Sequence, residues 1–341
     1  MPMKADVAIV GAGPVGLYLA SLLENEFKIA IVDRSLPGHK TCSGLISTNL
    51  DKFVSVPDAI DHVVSQAIVH SPSGKELLLS KKSTAAYVID RNVFDKALAE
   101  RISTQITHAN VERISTGGRA RLETKSDAIV ADIVIGCDGA TSLVSRSLGQ
   151  KTGELLAGLI GITKEKNKSD NVDLFFNKHF VKDGFLWKIP RNHSTEYGAM
   201  GSGINFSAME SFFNLRSYEG RSAPIPIGLR KTCYDRAILV GDAACHVKPW
   251  SGGGIIFGFT AAKIAARVVK KCFDTGNFSE AALMEYERGC KKAFGKEIAF
   301  GLMGREMLKD MDNDALDSLF AMAVEQTQHL DMDFPVFSSM G

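Results

Sequence analysis

Short apolar, β-branched runs punctuated by glycine turns fill the first half of the chain, and apolar positions three and four apart dominate residues 252 to 307. Residues 6–10 are one such run and lead into Gly11-Ala12-Gly13-Pro14-Val15-Gly16, after which 17–24 has a helical period and 28–32 is a second apolar run closing on Asp33. Strand, tight turn, helix and strand in that order predict a parallel sheet covered by helices. Residues 63–70 and 75–79, on either side of Ser71-Pro72-Ser73-Gly74, predict a hairpin, and 85–89 a further strand. A helix is expected over 92–102, a β-meander over 111–130, and a short buried strand over 133–135 that runs into Gly136-Cys137-Asp138-Gly139. Between 155 and 204 short β-rich segments alternate with Gly, Asn, Asp and Lys turns, which predicts an antiparallel sheet. Residues 237–240 return to a buried strand.

Composition narrows the classes. The 341 residues are 45% hydrophobic and 23% charged, so the chain has enough apolar material for a core and is not expected to be disordered. Forty basic against 39 acidic residues leave a formal net charge of +1. That excludes a global field for nucleic acid, and no nucleic-acid partner is expected. No stretch reaches the roughly 18–20 apolar residues of a spanning helix. Residues 252–262 are rich in glycine and end at Lys263. The N-terminal apolar run continues into a glycine motif, so it reads as part of the fold and not as a cleavable signal. A cytoplasmic protein is expected. The six cysteines, Cys42, Cys137, Cys233, Cys245, Cys272 and Cys290, form no C-x-x-C pair and no His/Cys cluster, so free thiols and no metal site are expected.

The glycine motif sets the chemistry. Gly11 permits a tight turn, Gly13 lets backbone N–H groups approach a diphosphate and Gly16 lets helix and strand touch, while Pro14 opens the helix. Asp33, 17 residues beyond Gly16, stands where a carboxylate accepts ribose hydroxyls, with Arg34 beside it. The motif alone does not separate NAD from FAD. A second strand far downstream runs into Gly241-Asp242-Ala243-Ala244, followed by Gly252, Gly253, Gly254 and Ile255 at the head of a long helix. An extended FAD requires this second zone, a carboxylate for the ribityl hydroxyls and a helix N-terminus near the end of the flavin that becomes negative on reduction.

Asp90-Arg91, with Phe94 and Leu98, opens one further helix, and Asp138-Gly139 through Ser142 to Arg146 opens another. Together these motifs resemble the p-hydroxybenzoate hydroxylase-like superfamily of FAD enzymes. The resemblance implies that Arg91 lies near the FAD pyrophosphate or ribityl chain and that Asp138 and Gly139 support the cofactor. Within that superfamily the chain is most similar to the geranylgeranyl reductase family, over about residues 4 to 300. The similarity rests on Lys40-Thr41-Cys42-Ser43-Gly44, on Gly241 to Ile255 with His246, Pro249 and Trp250, and on Phe185-Leu186-Trp187-Lys188-Ile189-Pro190. Departures are Ser43 and Cys245 where glycines are usual, and Ile189 where Phe is usual.

The resemblance implies an α/β fold: a Rossmann-like FAD-binding domain of glutathione-reductase type, made of a parallel sheet and β-meander over 1–60, 86–150 and 230–275. A substrate domain with an antiparallel sheet occupies 61–85 and 151–229, and a C-terminal helical segment 276–341. The expected activity is reduction of isolated C=C bonds in isoprenoid chains of lipids or prenyl diphosphates. The electron donor would be NAD(P)H or reduced ferredoxin as an electron-transfer partner, and the enzyme would contact the membrane peripherally. Cys42 and His246 are the candidate catalytic residues, with Cys42, Ser43 and Gly44 facing the flavin. Phe185, Trp187, Pro190 and Trp250 are the candidate substrate pocket, with Phe175, Phe176, Phe180 and Leu186 as further tunnel candidates. The alternative reading is an FAD-dependent monooxygenase that hydroxylates a small aromatic or related molecule with NAD(P)H and O2.

Overall fold

Five parallel strands lie in the order Ala237–Leu239, Ile133–Gly136, Val7–Val10, Ile29–Asp33 and Ile106–His108, with Cys233–Tyr234 added antiparallel at one edge. The computed structural model describes residues 1–38, 41–80, 83–151, 153–166, 169–323 and 332–333. Lys40 of the cysteine-loop motif lies outside the described residues, as does most of the chain beyond 323. Every residue of the three central strands is buried, because both faces of the sheet are covered; hence their unbroken apolar sequences. Val7 and Ile9 face the helices Pro14–Leu23 and Ile255–Thr275, and Ala8 and Val10 face the meander Val111–Ser115, Ala120–Thr124 and Ala128–Ala131. Tyr18 and Phe259 stack between the two helices, with ring centroids 4.4 Å apart.

Two glycines decide where the first helix begins. Gly11 has φ +105°, and a Cβ there would lie 2.3 Å from the Cys137 carbonyl oxygen; a Cβ on Gly16 would lie 2.0 Å from the Gly11 oxygen. Neither position accepts a side chain.

The second layer is a seven-stranded mixed sheet in the order Glu219–Ile227, Glu154–Thr163, Thr195–Gly201, Phe185–Pro190, Val172–Phe175, Gln66–His70 and Glu76–Ser80. Its inner face gathers Leu156, Ile160, Phe185, Trp187, Ile189 and Met200; its outer face carries Leu186 and Ala199 beneath the helix Phe206–Phe213. A small sheet of Leu45–Ser47, Ala86–Ile89 and Ile60–Val64 adds to the layer.

Three expectations are refined. The run 63–70 is split: Ile60–Val64 pairs with Ala86–Ile89, and only Gln66–His70 forms the hairpin with Glu76–Ser80. Glu219–Ile227, beyond the expected limit of 204, is an edge strand in which Pro224 and Pro226 are tolerated because one side has no neighbour. The helical stretch 252–307 is two helices, Ile255–Thr275 and Glu280–Asp310. Gly276 at φ +64° ends the first, and the Ser279 hydroxyl caps the second by accepting from Ala282 N at 3.4 Å. A further helix, Asn313–Ala323, follows.

The helices are tied to the parallel sheet by Tyr286, which is wholly buried and donates its hydroxyl to the Leu239 carbonyl at 2.8 Å. Tyr286→Phe leaves that carbonyl without its partner and is expected to lower unfolding free energy by about 1–2 kcal/mol. A lower urea midpoint at unchanged slope checks this.

Candidate active site

A cavity of about 1240 Å³ opens at the carboxyl ends of the parallel strands and extends beneath the inner face of the seven-stranded sheet. Ligands in open α/β sheets bind at this crevice. Its polar end is lined by Gly11, Gly13, Pro14, Asp33, Arg34, Arg91, Asp138, Gly139 and Asp242, together with Gly252, Gly253, Gly254 and Ile255. Helix Pro14–Leu23 has no side-chain cap and no acid in its first turn, and neither does Ile255–Thr275. Their N-terminal N–H groups and dipoles are therefore uncompensated and suited to negative charge. Nothing lies within 4 Å of a Cβ built on Gly13, so the open space continues right up to the backbone.

Asp33 is buried, accepts from Ala12 N at 2.7 Å through Oδ2, and from Ser35 N at 2.8 Å and Ser35 Oγ at 3.0 Å through Oδ1. It braces the glycine turn as well as lining the cavity. Asp138 accepts from Ser142 Oγ at 2.5 Å, Leu143 N at 2.6 Å and Val144 N at 3.1 Å, and so caps the helix Leu143–Ser147. Its carboxylate is already occupied by the fold.

Asp242 is different. Burial pushes its carboxyl above the usual range, opposed by the Arg91 cation, and no donor among the described residues meets its carboxylate. A Cβ on Gly254 would fall 2.8 Å from its Oδ1, so glycine leaves this oxygen its place beside the helix start. A desolvated acceptor without a donor fits a ligand rich in hydroxyls. Arg91 is bound bidentate by Asp95, Nε to Oδ1 and Nη2 to Oδ2, both at 3.0 Å. Burial works against its charge, but the Cys42 sulfur and the Asp95 carboxylate outweigh that and hold its pKa above the ordinary value. Arg91 thus places a fixed positive charge in the cavity wall near both Cys42 and Asp242. Cys42 also accepts from Gly44 N at 3.4 Å, and Gly44 at φ +72° passes so close to Ile89 that a Cβ would lie 2.2 Å from its carbonyl oxygen.

The other end of the cavity is apolar. Ile160, Leu174, Phe185, Trp187, Ile189, Met200, Ile225 and Trp250 line it, with Phe300, Gly301, Gly304 and Leu308 from the Glu280–Asp310 helix. Both tryptophans rest on glycines: a Cβ on Gly198 would lie 2.1 Å from the Trp187 ring, and one on Gly301 2.3 Å from the Trp250 ring.

Several expected site residues lie elsewhere. His246 is buried against Phe294 and Tyr286, outside the cavity lining, and burial pushes its pKa down to about 3. It is neutral at physiological pH and does not reach the reacting space. Gly16, Gly241, Pro190 and Pro249 are also outside the lining; Gly16 serves the helix–turn contact, Gly241 at φ +69° passes Val15, and Pro249 packs beside Gly301. Leu186 faces away from the cavity because strand side chains alternate. Phe175 and Phe180 pack with Phe212 and Phe213 on the outer face, and Phe176 packs against Phe185 and Phe320 without lining the cavity. Cys245, where a glycine is usual, adopts φ +56°.

Polar groups in and behind the lining had no signal in the sequence. Lys248 Nζ meets Asp333 Oδ1 at 2.9 Å, and Asp333 Oδ2 accepts from Asn49 Nδ2 at 2.9 Å and from the Ser47 hydroxyl. This buried ion pair joins residues 85 positions apart. Arg191 and Glu196 form another polar group behind Trp187.

The parallel sheet, the bare helix N-termini and the hydroxyl-seeking carboxylate define an FAD-dependent oxidoreductase. Residues 62–303 match the family model described as tryptophan halogenase, and the chain belongs to that family, among its geranylgeranyl reductase-like members. A protein of Methanocaldococcus jannaschii described as uncharacterized is 29% identical, over 92% of this chain and 87% of that one. A digeranylgeranylglycerophospholipid reductase of Methanothrix thermoacetophila is 27% identical, over 93% and 90%. The crystal structure of a geranylgeranyl bacteriochlorophyll reductase-like protein from Thermoplasma acidophilum shares the fold, with a TM-score of 0.90 at 20% identity, over 99% of this chain and 96% of that one.

Asp242→Ala removes a desolvated charge and the acceptor together. The FAD dissociation constant is expected to rise about tenfold or more, while the FAD-free protein melts no lower than wild type. Titration of the apoprotein with FAD, followed by flavin fluorescence, and a melt without FAD check both parts.

Proposed function

We propose that the protein hydrogenates isolated C=C bonds in the geranylgeranyl chains of a lipid or a prenyl diphosphate. The observation that carries the reading is the join between the polar, FAD-compatible end of the cavity and an apolar chamber walled by Trp187, Phe185, Met200 and Trp250. Such a chamber receives a hydrocarbon chain and excludes water. The relatives named as digeranylgeranylglycerophospholipid reductases support the same substrate class.

In this reading the diphosphate of FAD lies on the Gly11–Gly16 turn and helix Pro14–Leu23, with the adenosine half toward Asp33 and Arg34. Asp242 accepts from the ribityl hydroxyls, and Gly252 to Ile255 present the second helix N-terminus to the ring. Bound and reduced, FAD supplies a hydride. The chain's own residues supply the rest: the aromatic walls fix the alkene, and Cys42 donates a proton to the opposite carbon. The negative sulfur left behind faces Arg91, whose charge Asp95 fixes in place. An unpolarised alkene needs that proton matched to the hydride.

NAD(P)H or a reduced ferredoxin regenerates the reduced state. Phe300, Met303 and Met307 project from the Glu280–Asp310 helix at 51%, 55% and 57% exposure, beside the cavity-lining Gly301 and Gly304. They form the surface at which a peripheral membrane contact delivers the lipid. No helix among the described residues is long and apolar enough to cross a membrane.

Chemically reduced protein incubated anaerobically with geranylgeranyl lipid is expected to add two mass units per double bond. An unchanged lipid, together with a gain of sixteen in an aromatic substrate under oxygen, would overturn the reading in favour of hydroxylation. Cys42→Ser is expected to slow reduction by roughly 10²-fold with FAD still bound; a wild-type single-turnover rate would remove Cys42 from the role.

A further inference from the structure

We propose that Arg191 and Glu196 are a positioning pair that sets two separate walls of the cavity, the Trp187 indole and the Cys42–Gly44 loop, from a single guanidinium. Neither residue lines the cavity.

Glu196 is fully buried in strand Thr195–Gly201, flanked in register by Ile189 and Ile162 of the neighbouring strands. A carboxylate in that position is strongly unfavourable unless every lone pair is met. Its Oε1 accepts from the Trp187 indole Nε1 at 2.9 Å, and its Oε2 accepts from Arg191 Nε at 3.2 Å and Nη2 at 2.7 Å. Arg191 then spends its remaining donors outward. Nη2 also donates to the Ser43 carbonyl at 2.7 Å, and Nη1 to Asp61 Oδ2 at 3.2 Å.

Burial raises the pKa of Glu196 against the pull of Arg191 and the indole, and Glu196 with Asp61 raises that of Arg191 despite burial. The buried Glu196 charge depends on Arg191, whose own charge also faces Asp61. An apolar pair would fill the same space at no electrostatic cost, so stability does not account for the ions. Direction does. The bond to Glu196 allows the indole one orientation, flat against Gly198, and turning it would strand a buried carboxylate oxygen. The bond to the Ser43 carbonyl fixes the peptide next to Cys42 in a loop already confined at Gly44. A planar fork holds Glu196 through two N–H groups and the Ser43 carbonyl at the same time, a geometry that an ammonium group does not match.

That these walls face an isoprenoid chain rests on the proposed function; the pair's positioning role is tested without turnover. In a Trp250→Phe background Trp187 is the sole tryptophan, since the chain has two. The readouts on FAD-bound protein are Trp187 emission and the rate at which iodoacetamide alkylates Cys42, followed by peptide mass spectrometry. Arg191→Met is expected to shift the emission and to speed alkylation about tenfold. Glu196→Gln keeps an oxygen for the indole but breaks the charge pair, so emission holds while alkylation still rises. Arg191→Lys is expected to fall between wild type and Arg191→Met.

Wild-type alkylation and emission in Arg191→Met overturn the proposal. If Arg191→Met does not fold, Arg191→Met/Glu196→Leu leaves no buried charge and must show both changes; unchanged readouts in it are equally fatal. Changed walls with no lipid reduced by the wild type would leave the positioning role standing and bring down the functional reading alone.

Discussion

The architecture depends on one backbone contact, the approach of helix Pro14–Leu23 to the end of strand Val7–Val10 at a distance that admits no Cβ on Gly16 or Gly11. Because the helix starts there, its bare N–H groups point into the crevice where the strands Val7–Val10 and Ile133–Gly136 end side by side. The Cys137 carbonyl, which closes over Gly11, belongs to the same meeting of strands. A side chain at either glycine would push the helix away and take the anion-binding end of the cavity with it.

Around that contact the acidic side chains at and behind the cavity are sorted by what answers them. Asp138 is met by a hydroxyl and two backbone N–H groups, Asp95 by a bidentate guanidinium, Glu196 by a guanidinium and an indole, and Asp333 by Lys248, Asn49 and Ser47. Asp242 alone in this group has a cation nearby but no donor in contact. Within this group the acceptor left open is the one that a hydroxyl-bearing cofactor would meet.

The parallel sheet was legible because its strands are buried on both faces and so read as solid apolar runs, and the glycine motif because its physical requirement is local to six residues. The edge strand Glu219–Ile227 was not, since its prolines and exposed positions erase the strand signal that burial would impose. His246 was misjudged because closeness in sequence to Asp242 says nothing about which way a side chain leaves a left-handed turn at Cys245. Four of the six tunnel candidates on this sheet lie outside the lining, two of them for a related reason: strand alternation sends Leu186 away from Phe185 and Trp187, and Phe175 to the outer face. Arg191 and Glu196 had no pattern to betray them. They meet because a hairpin register places them together, which only the folded sheet determines.

The two indoles lying on Gly198 and Gly301 imply a particular kind of tunability. Each ring is recessed by the thickness of one missing methyl, and since Gly198 is not itself in the lining, the bore of the tunnel beside Trp187 is set from behind. Descendants of this chain can therefore narrow or widen the passage by altering atoms no guest molecule ever touches, leaving the contact surface itself chemically the same.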